Sequence, residues 1–301
     1  MTRIGFIGVG TMGLPMAKNL VKKGFAVTAF DTDRDAVAAA AAAGMTAVAT
    51  AAEAVATADI VVTMLPSSRQ VESVYTGDGG VLAAARRGTL CVDMSTIDPA
   101  VSQRVAKVAQ ERGVRFIDAP VSGGTPRATD GTLAIMVGGA VADFEEARLA
   151  LSAMGTNVIH VGPVGSGEVV KLCNNLIAGV CGVAVSEAFR IAEGFGMDPK
   201  VVTEVISKSS GNTFLMGFMH PVPGIMPNAA SSNDYKPGFM TDLMCKDLGL
   251  AVDAARNLRV PLFVTPAAQQ VYRLASSHGL GRRDFTSVYA FLKPSSGQAP
   301  V

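Results

Sequence analysis

The sequence predicts an α/β protein in which a doubly wound parallel sheet is followed by an all-helical domain, the two being joined by one long central helix. Three observations support this fold class. Short apolar runs alternate with helical patterns through the first half of the 301-residue chain, as in sheets covered on both faces. The pattern changes at Gly162 and Pro163, after which no strand-like alternation occurs. The apolar stretch 166–195 then has the length and composition of one continuous helix.

Strands are predicted in the first half wherever a short apolar run ends at a turn or capping residue. They lie at 4–7, 26–30, 59–65, 89–93, 114–118, 132–137 and 157–161. The helical patterns between them lie at 13–23, 33–43, 71–85 and 98–112. Asp98 and Pro99 open the last of these as an N-cap and a first helical residue.

The second half is predicted to be helical throughout. Its helices lie at 166–195, 198–208, 241–258, 266–277 and 284–292. We therefore predict a sheet-based domain at 1–162 and an all-helical domain at 163–301, which contains the long helix.

The composition excludes several classes of protein. Charged residues make up 17% of the chain, hydrophobic residues 49%, and the net charge is +1, which argues against a disordered chain and a typical nucleic-acid binder. The mean hydropathy is positive, but the uncharged runs are too short for a bilayer, which requires roughly 20 residues, or contain glycine, asparagine or proline. The chain enters a strand pattern at once, so we expect a cytoplasmic protein without a signal peptide. The cysteines and histidines lack metal-binding spacing, which predicts buried free thiols and no metal site.

A glycine-rich turn joins the first predicted strand to the first helix. Gly8, Gly10 and Gly13, with Thr11 and Met12 between them, form the pattern Gly-x-Gly-x-x-Gly. In this context the first glycine permits a tight turn, the second lets the backbone approach a pyrophosphate, and the third allows close packing of helix on strand. The N–H groups of the helix N-terminus then face the anion. The pattern predicts a Rossmann-type dinucleotide-binding domain, and a glycine-rich turn without a ligand is the alternative.

Asp31 ends the second predicted strand, where an acidic side chain hydrogen-bonds the adenine ribose 2′-hydroxyl. A 2′-phosphate would be repelled there, so NAD is favoured over NADP, although Arg34 lies close enough to soften the choice. Two further strand ends are followed by Leu65 and Pro66 and by Thr96, at the sheet edge where ligands bind in open α/β sheets. Ordinary connecting loops are the alternative for both.

Two further features indicate a site for a small acid. Ser122, Gly123 and Gly124 follow a strand and offer a hydroxyl and unhindered N–H groups, which can hold a carboxylate or an oxyanion; a simple turn is the alternative. Lys171 and Asn175 lie four residues apart on the long helix and therefore on one face of it. Partial desolvation lowers the pKa of a lysine and suits it to proton transfer near neutral pH, whereas a lysine that extends to the surface is the alternative.

These residues carry a resemblance that covers nearly the whole chain. The sequence resembles the β-hydroxyacid dehydrogenases and, within them, the 3-hydroxyisobutyrate dehydrogenases most closely. The matching segments are 8–13 (GVGTMG) with 15–17 (PMA), 118–124 (DAPVSGG), 165–175 (GSGEVVKLCNN), 221–224 (PVPG), 246–251 (KDLGLA) and 284–288 (DFTSV). The first three belong to the whole superfamily, and the later ones favour the 3-hydroxyisobutyrate branch.

The resemblance implies a role for each matching position. Lys171 would be the general acid/base, and Asn175 would help to orient the substrate, whose carboxylate would be held by Ser122, Gly123 and Gly124. Besides the glycine-rich turn and Asp31, the residues implied to contact NAD are Leu65, Pro66, Gln70, Thr96 and Lys246. The implied reaction is the oxidation of 3-hydroxyisobutyrate to methylmalonate semialdehyde, in valine catabolism, by a homodimer or homotetramer.

Two departures from the family pattern leave the substrate side chain open. Residues 125–130 are not the small Gly/Ala-rich stretch of the branch, and His220 stands where asparagine is more familiar. Action on L-serine or tartronate semialdehyde is therefore an alternative, while Lys171 disfavours an imine reductase of related fold. A non-catalytic NAD-binding regulatory protein is an alternative of another class, which the intact Lys171, Asn175 and Ser122 disfavour. The long helix is apolar nearly all round, which predicts that it is buried against another subunit.

Overall fold

A computed structural model describes residues 2–293, and the chain divides into two units, Met1–Lys171 and Leu172–Val301. All strands of the described residues lie in the first unit, and the second is helical. The predicted fold class, a doubly wound α/β sheet followed by helices, is confirmed. One long helix begins in the first unit and continues into the second.

The first unit is built on a sheet of nine strands. In chain order these are β1 (Arg3–Ile7), β2 (Ala26–Phe30), β3 (Thr46–Ala47), β4 (Ile60–Thr63), β5 (Leu90–Asp93), β6 (Arg115–Asp118), β7 (Val121–Ser122), β8 (Leu133–Gly138) and β9 (Gly155–Gly162). The order across the sheet is β3-β2-β1-β4-β5-β6-β8-β7, with β9 paired to β8. The strands from β3 to β6 are parallel, and the winding reverses direction between β1 and β4, where ligands bind in folds of this kind.

The alternation of strands and helices predicted a parallel sheet. The observed sheet is not parallel throughout. β8 runs antiparallel to both β6 and β7 and parallel to β9. Apolar runs indicate that a strand is buried but not which way it runs, so the sequence pattern left this edge of the sheet undetermined.

Eight helices within the described residues cover this sheet. They are α1 (Gly13–Lys22), α2 (Arg34–Ala42), α3 (Ala51–Val55), α4 (Ser68–Thr76), α5 (Val81–Ala84), α6 (Pro99–Glu111), α7 (Gly124–Asp130) and α8 (Val141–Met154). The single helix predicted at 71–85 is wrong: α4 ends before Gly77, and Gly79 adopts a φ of 68° in the connection to α5. Helices α3, α7 and α8 and strands β3 and β7 were not predicted.

Both faces of the sheet are buried. Ile4 and Phe6 of β1 pack on one face, and Ile7 packs on the other with Val61 of β4. This two-sided burial explains why the strands read as continuous apolar runs. Cys91 of β5 is buried, but Cys173 is exposed, so the expectation of buried thiols is wrong at that position.

The second unit packs its helices around a separate apolar core. After the long helix α9 (Ser166–Gly194) come α10 (Pro199–Ser207), α11 (Phe214–Gly217), α12 (Thr241–Leu258), α13 (Val264–Ala275) and α14 (Val288–Phe291). The helix predicted at 284–292 is a 3₁₀ turn, Phe285–Ser287, followed by α14. Helix α9 is the one helix in residues 2–293 with the length and composition to cross a membrane, a test that core helices also pass, and 44% of its most apolar window is buried.

Candidate active site

Five neighbouring strands end in register at one edge of the sheet. Phe30, Ile7, Thr63, Asp93 and Asp118 are paired from strand to strand in a single row. Backbone hydrogen bonds extend this register by one residue. The N–H of the first residue after each of β1, β4, β5 and β6 donates to the carbonyl oxygen of a row residue on the neighbouring strand, at 2.6–2.9 Å. Gly8, Asp31, Leu65 and Thr96, four of the residues that the sequence predicts for the site, come one to three residues after this row.

The glycine-rich turn has the geometry that a pyrophosphate requires. Gly8 has a φ of 93°, and a Cβ there would lie 2.3 Å from the carbonyl oxygen of Met64. A Cβ on Gly13 would lie 1.8 Å from the carbonyl oxygen of Gly8, so only glycine lets α1 start this close to β1. A Cβ on Gly10 would meet nothing within 4 Å, which leaves its backbone open to a ligand. Residue Met12, which precedes α1, provides no side-chain cap for the helix N-terminus.

Asp31 follows β2 directly and is partly buried. Its Oδ1 accepts a 2.9 Å hydrogen bond from the N–H of Asp33, which fixes the carboxylate at the strand end. Arg34 is exposed at the start of α2. This carboxylate fits the ribose of a dinucleotide, and the open backbone at Gly10 fits its pyrophosphate.

The loops after β4 and β5 are tied together by buried polar groups. Ser95 Oγ accepts a 2.9 Å hydrogen bond from the N–H of Leu65 and donates one of 2.6 Å to Oδ1 of Asp93. Thr63 Oγ1 donates to the same oxygen at 2.7 Å. The N–H of Leu65 and the side chain of Ser95, which precedes Thr96, are therefore held by a fully buried carboxylate, Asp93, that the sequence did not single out.

Gln70 lies in a different setting from the other predicted NAD contacts. It is exposed in the first turn of α4. Its Oε1 accepts a 2.6 Å hydrogen bond from Ser67 Oγ, and its backbone N–H donates to Ser67 Oγ. This reciprocal pair caps the helix. The geometry thus accounts for Gln70 without a cofactor.

The Ser-Gly-Gly segment forms a tight bend. Ser122 ends β7 and Gly124 begins α7, while Gly123 has a φ of 138° and Gly124 a φ of 65°. A Cβ on Gly123 would lie 2.6–3.1 Å from the side chain of Arg127, which therefore crosses over this glycine. All three residues of the bend are partly exposed, as a binding loop requires.

Lys171 and Asn175 lie on one face of α9 as the spacing predicted, and each is only 5% exposed. The Asn175 Oδ1 accepts a 3.0 Å hydrogen bond from Asn174, and its Nδ2 donates one of 2.5 Å to Asp247 Oδ2. Farther along this face, Ser186 is fully buried and Gly182 leaves room for the hydroxyl of Tyr272. The small residues therefore serve packing in the second unit.

Two buried carboxylates at the start of α9 escaped the sequence reading. Asp118 accepts hydrogen bonds from the N–H groups of Gly165 at 2.6 Å and Glu168 at 3.0 Å. Burial raises the pKa of Asp118 to about 6, although these donors oppose the rise. Glu168 is fully buried and accepts a 3.1 Å hydrogen bond from the N–H of Ile97. Contacts between residues so distant in the chain leave no local signal.

A further buried carboxylate, Asp247 on α12, links two predicted site residues of the second unit. Its Oδ2 accepts from Asn175, and its Oδ1 lies 3.2 Å from Nζ of the neighbouring Lys246. Asp247 is only 2% exposed. One signal in the sequence pointed to Asp247, namely its position next to the predicted Lys246 in segment 246–251.

His220 is fully buried in the second unit. Its Nδ1 accepts a 3.1 Å hydrogen bond from the N–H of Val222, so Nε2 carries the proton and donates it to Thr203 Oγ1 at 2.9 Å. Burial lowers the pKa of His220 to about 4. His220, which departs from the family pattern, thus has a structural role. It connects the loop that follows it, at Val222, to Thr203 of α10.

Comparison with known families matches almost the whole chain. A family model described as the NAD binding domain of 6-phosphogluconate dehydrogenase matches residues 3–162. A second, described as NAD-binding of NADP-dependent 3-hydroxyisobutyrate dehydrogenase, matches residues 165–292.

Individual relatives agree with these matches. The chain is 41% identical over 292 residues to the mitochondrial 3-hydroxyisobutyrate dehydrogenase of Rattus norvegicus, covering 97% of this chain and 87% of the relative. It is 43% identical over 298 residues to an NAD-dependent L-serine dehydrogenase of Pseudomonas aeruginosa, covering 99% and 100%. The solved structure of Mycobacterium tuberculosis 3-hydroxyisobutyrate dehydrogenase with L-serine is similar with a TM-score of 0.92 at 41% identity, covering 98% of this chain and 100% of that one.

Proposed function

Since this chain belongs to the β-hydroxyacid dehydrogenase family and its cofactor is NAD, we propose that it oxidises 3-hydroxyisobutyrate reversibly to methylmalonate semialdehyde. The observation that carries the proposal is the pair Lys171 and Asn175, a base and an amide buried on one face of α9. The rat relative, with 41% identity over 97% of this chain, supports the choice of substrate.

In this proposal the first unit holds the dinucleotide. The turn from Gly8 to Gly13 would bind the pyrophosphate, Asp31 would accept a hydrogen bond from the ribose 2′-hydroxyl, and Leu65, Pro66 and Thr96 would also contact NAD. Lys246 and Gln70 are further proposed contacts. When bound, NAD would supply the acceptor for the hydride that leaves the carbinol carbon of the substrate.

The chain's own residues position the substrate and move its proton. Ser122, Gly123, Gly124 and Asn175 hold the carboxylate, so that the hydroxyl lies against Nζ of Lys171. The neutral amine of Lys171 takes the hydroxyl proton while the C–H bond breaks with its electron pair and the C=O bond forms. In the reverse direction the Lys171 ammonium returns this proton to the alkoxide oxygen.

L-Serine is a second candidate substrate. The Pseudomonas aeruginosa relative is named for it, and the Mycobacterium tuberculosis structure contains it. L-Serine and 3-hydroxyisobutyrate share the carboxylate and the C3 hydroxyl and differ at C2, which carries an ammonium or a methyl group. The machinery proposed above serves both, and tartronate semialdehyde in the reducing direction as well.

The test is a comparison of kcat/KM for 3-hydroxyisobutyrate, L-serine and tartronate semialdehyde, each with NAD and with NADP. We expect 3-hydroxyisobutyrate with NAD to give the highest value, and a higher value for L-serine would replace the proposed substrate. If no substrate in this panel yields a change in NADH, the non-catalytic regulatory role becomes the better explanation.

We further propose that the enzyme is cytoplasmic, acts in valine catabolism and assembles as a homodimer or homotetramer. The large apolar side chains exposed on the second unit support the assembly. The domain limits expected from the sequence, 1–162 and 163–301, are likewise proposed as the functional division between cofactor and substrate domains.

A further inference from the structure

We propose that Asp118 and Glu168 are positioning residues for Lys171, whose role as the base rests on the proposed function. Both carboxylates are fully buried in the first unit, and neither is needed to touch substrate or cofactor. They join the first turn of α9 to the ends of two strands, β5 and β6, which lead to Thr96 and to Ser122.

Asp118 connects the end of β6 to the start of α9. Its Oδ1 accepts from the N–H of Gly165 at 2.6 Å, and its Oδ2 accepts from the N–H of Glu168 at 3.0 Å. These N–H groups belong to the helix N-terminus, where no intrahelical acceptor exists and where a negative charge is favoured. The residue before the helix, Gly165, has no side chain to cap it, so the cap comes from a strand 47 residues earlier.

Glycines make this close approach possible. A Cβ on Gly167 would lie 2.8 Å from Oδ2 of Asp118 and 2.4 Å from the carbonyl oxygen of Met136. A Cβ on Gly138, opposite Asp118 in the sheet, would lie 2.5 Å from its Oδ1. The carboxylate is thus enclosed by backbone on two sides. This geometry gives the glycines of segment 165–167 a structural reason that is independent of any ligand.

Glu168 makes the second connection, to the loop after β5. Its Oε2 accepts a 3.1 Å hydrogen bond from the N–H of Ile97, the residue after Thr96. The two partners are 71 residues apart in the chain. The same residue therefore uses its N–H to bind Asp118 and its carboxylate to bind the loop of a different strand.

This arrangement fixes Lys171 because a helix is rigid over one turn. Glu168 and Lys171 are three residues apart in α9, which places them about 4.5 Å apart along the helix axis. Any movement of the first turn moves Nζ of Lys171 relative to the loops at Thr96 and Ser122. A displacement of about 1 Å in a reacting group lowers turnover by up to about 100-fold.

The start of α9 is capped from distant segments of the chain. Gly165 has a φ of 91°, which residues with a side chain rarely adopt, so a serine or aspartate at this position would be strained and could not readily serve as a local cap. Asp118 and Glu168 instead link three segments of the chain, which are the end of β6, the loop after β5 and the start of α9. The chain retains them in spite of the cost of burying charge.

The test combines truncation with a double-mutant cycle. We expect Glu168→Ala to lower kcat at least about tenfold while KM for NAD changes by less than about threefold, because the base moves and the dinucleotide turn does not. Glu168→Gln, which keeps an acceptor for Ile97, should recover most of kcat. Asp118→Asn should lower kcat as well, because its amide presents a donor to one of the two N–H groups.

The cycle separates positioning from general destabilisation. If Glu168 acts through Lys171, Glu168→Ala should cost nothing further in the Lys171→Ala background, whereas independent effects would add. Asp59→Ala is the matched control, since Asp59 also accepts a backbone N–H, that of Arg3, but precedes β4 at the opposite edge of the sheet. It should lower Tm and leave kcat unchanged.

Several outcomes would overturn the inference. A folded Glu168→Ala variant with normal kcat would do so, as would additive losses in the cycle. If Glu168→Ala does not fold, Asp118→Asn and Glu168→Gln decide, and normal kcat in Asp118→Asn would refute the positioning role. Normal turnover in Lys171→Ala alone would refute the proposed base instead, so the two failures are distinguishable.

Discussion

The side chain of Asn175 donates a 2.5 Å hydrogen bond to Oδ2 of Asp247 on α12, a residue 72 positions later in the chain. The other oxygen of Asp247 lies 3.2 Å from Nζ of Lys246. One buried carboxylate therefore fixes the amide proposed to hold the substrate and the lysine proposed to contact NAD. The two tasks are connected within the second unit through a residue that need touch neither molecule.

Replacing Asp247 should consequently impair both substrate and cofactor binding. We expect Asp247→Ala to lower kcat/KM by about tenfold to a hundredfold and to raise KM for both, because Asn175 and Lys246 lose their common partner. Steady-state kinetics in both substrates measures this. Asp253→Ala is the control on the same helix, where an exposed carboxylate pairs with exposed Arg256, and it should behave as the unaltered enzyme. Equal effects of the two substitutions would contradict the prediction.

Loss of the Lys171 amine should abolish proton transfer without abolishing cofactor binding. We expect Lys171→Ala to lower kcat by about 100-fold to 10,000-fold, the usual contribution of a general acid/base. NADH binding, followed by its fluorescence, should stay within about threefold of normal. Lys208→Ala, which removes an exposed amine paired with Glu204, should leave both quantities unchanged. Near-normal turnover in Lys171→Ala would exclude the proposed role.

Removing the carboxylate of Asp31 should weaken the discrimination against NADP. We expect Asp31→Ser to shift the ratio of kcat/KM for NADP to that for NAD upward by about tenfold or more, since a hydroxyl does not repel the 2′-phosphate. Asp33→Asn is the control: it removes a charge two residues away, and its amide oxygen can still cap α2. A shift of the same size in both variants would indicate a general effect of charge.

Local sequence predicted the parts of the site that are themselves local. The strand–turn–helix around Gly8 and Gly13 and the four-residue spacing of Lys171 and Asn175 are each contained in one short segment. Even the missed helix α3 had a local signal, because Thr50 and Glu53 form its capping box.

The connections between these parts were not predictable in this way. Asp118 meets the start of α9 across 47 residues and Asp247 meets Asn175 across 72. Periodicity describes which face of an element is buried but not which element covers it. The antiparallel direction of β8 was missed for the same reason.

The buried His220 should make the fold sensitive to acid. Its pKa is lowered from 6.5 to about 4, so the folded state favours the neutral ring. Its contribution to stability is therefore complete above pH 6.5 and is lost as the pH falls toward 4, with a slope of at most about 1.4 kcal/mol per pH unit. Denaturant unfolding of the wild type and His220→Gln between pH 4 and 7 measures the difference, which should shrink toward acid pH.

The comparison isolates His220 from Asp118, whose raised pKa acts in the opposite sense. Folded Asp118 has a pKa of about 6 against 3.8 for the free group, so its contribution is lost as the pH rises through this range. Asp118 is present in both proteins, and its effect cancels in the difference. His278→Gln, at an exposed histidine, is the control and should follow the wild type at every pH. A difference independent of pH would contradict the prediction.

The exposed apolar side chains of the second unit should be buried in an assembly. Phe195 is 83% exposed and Phe263 84%, and burial of one such side chain contributes about 1.5–3 kcal/mol. We expect light scattering at micromolar concentration to give the mass of a dimer or tetramer. Phe195→Lys or Phe263→Lys should raise the dissociation constant at least about tenfold, whereas Leu149→Lys, at a 73% exposed site on α8, should not. A monomeric mass for the wild type would refute the assembly, because these side chains would then remain in water.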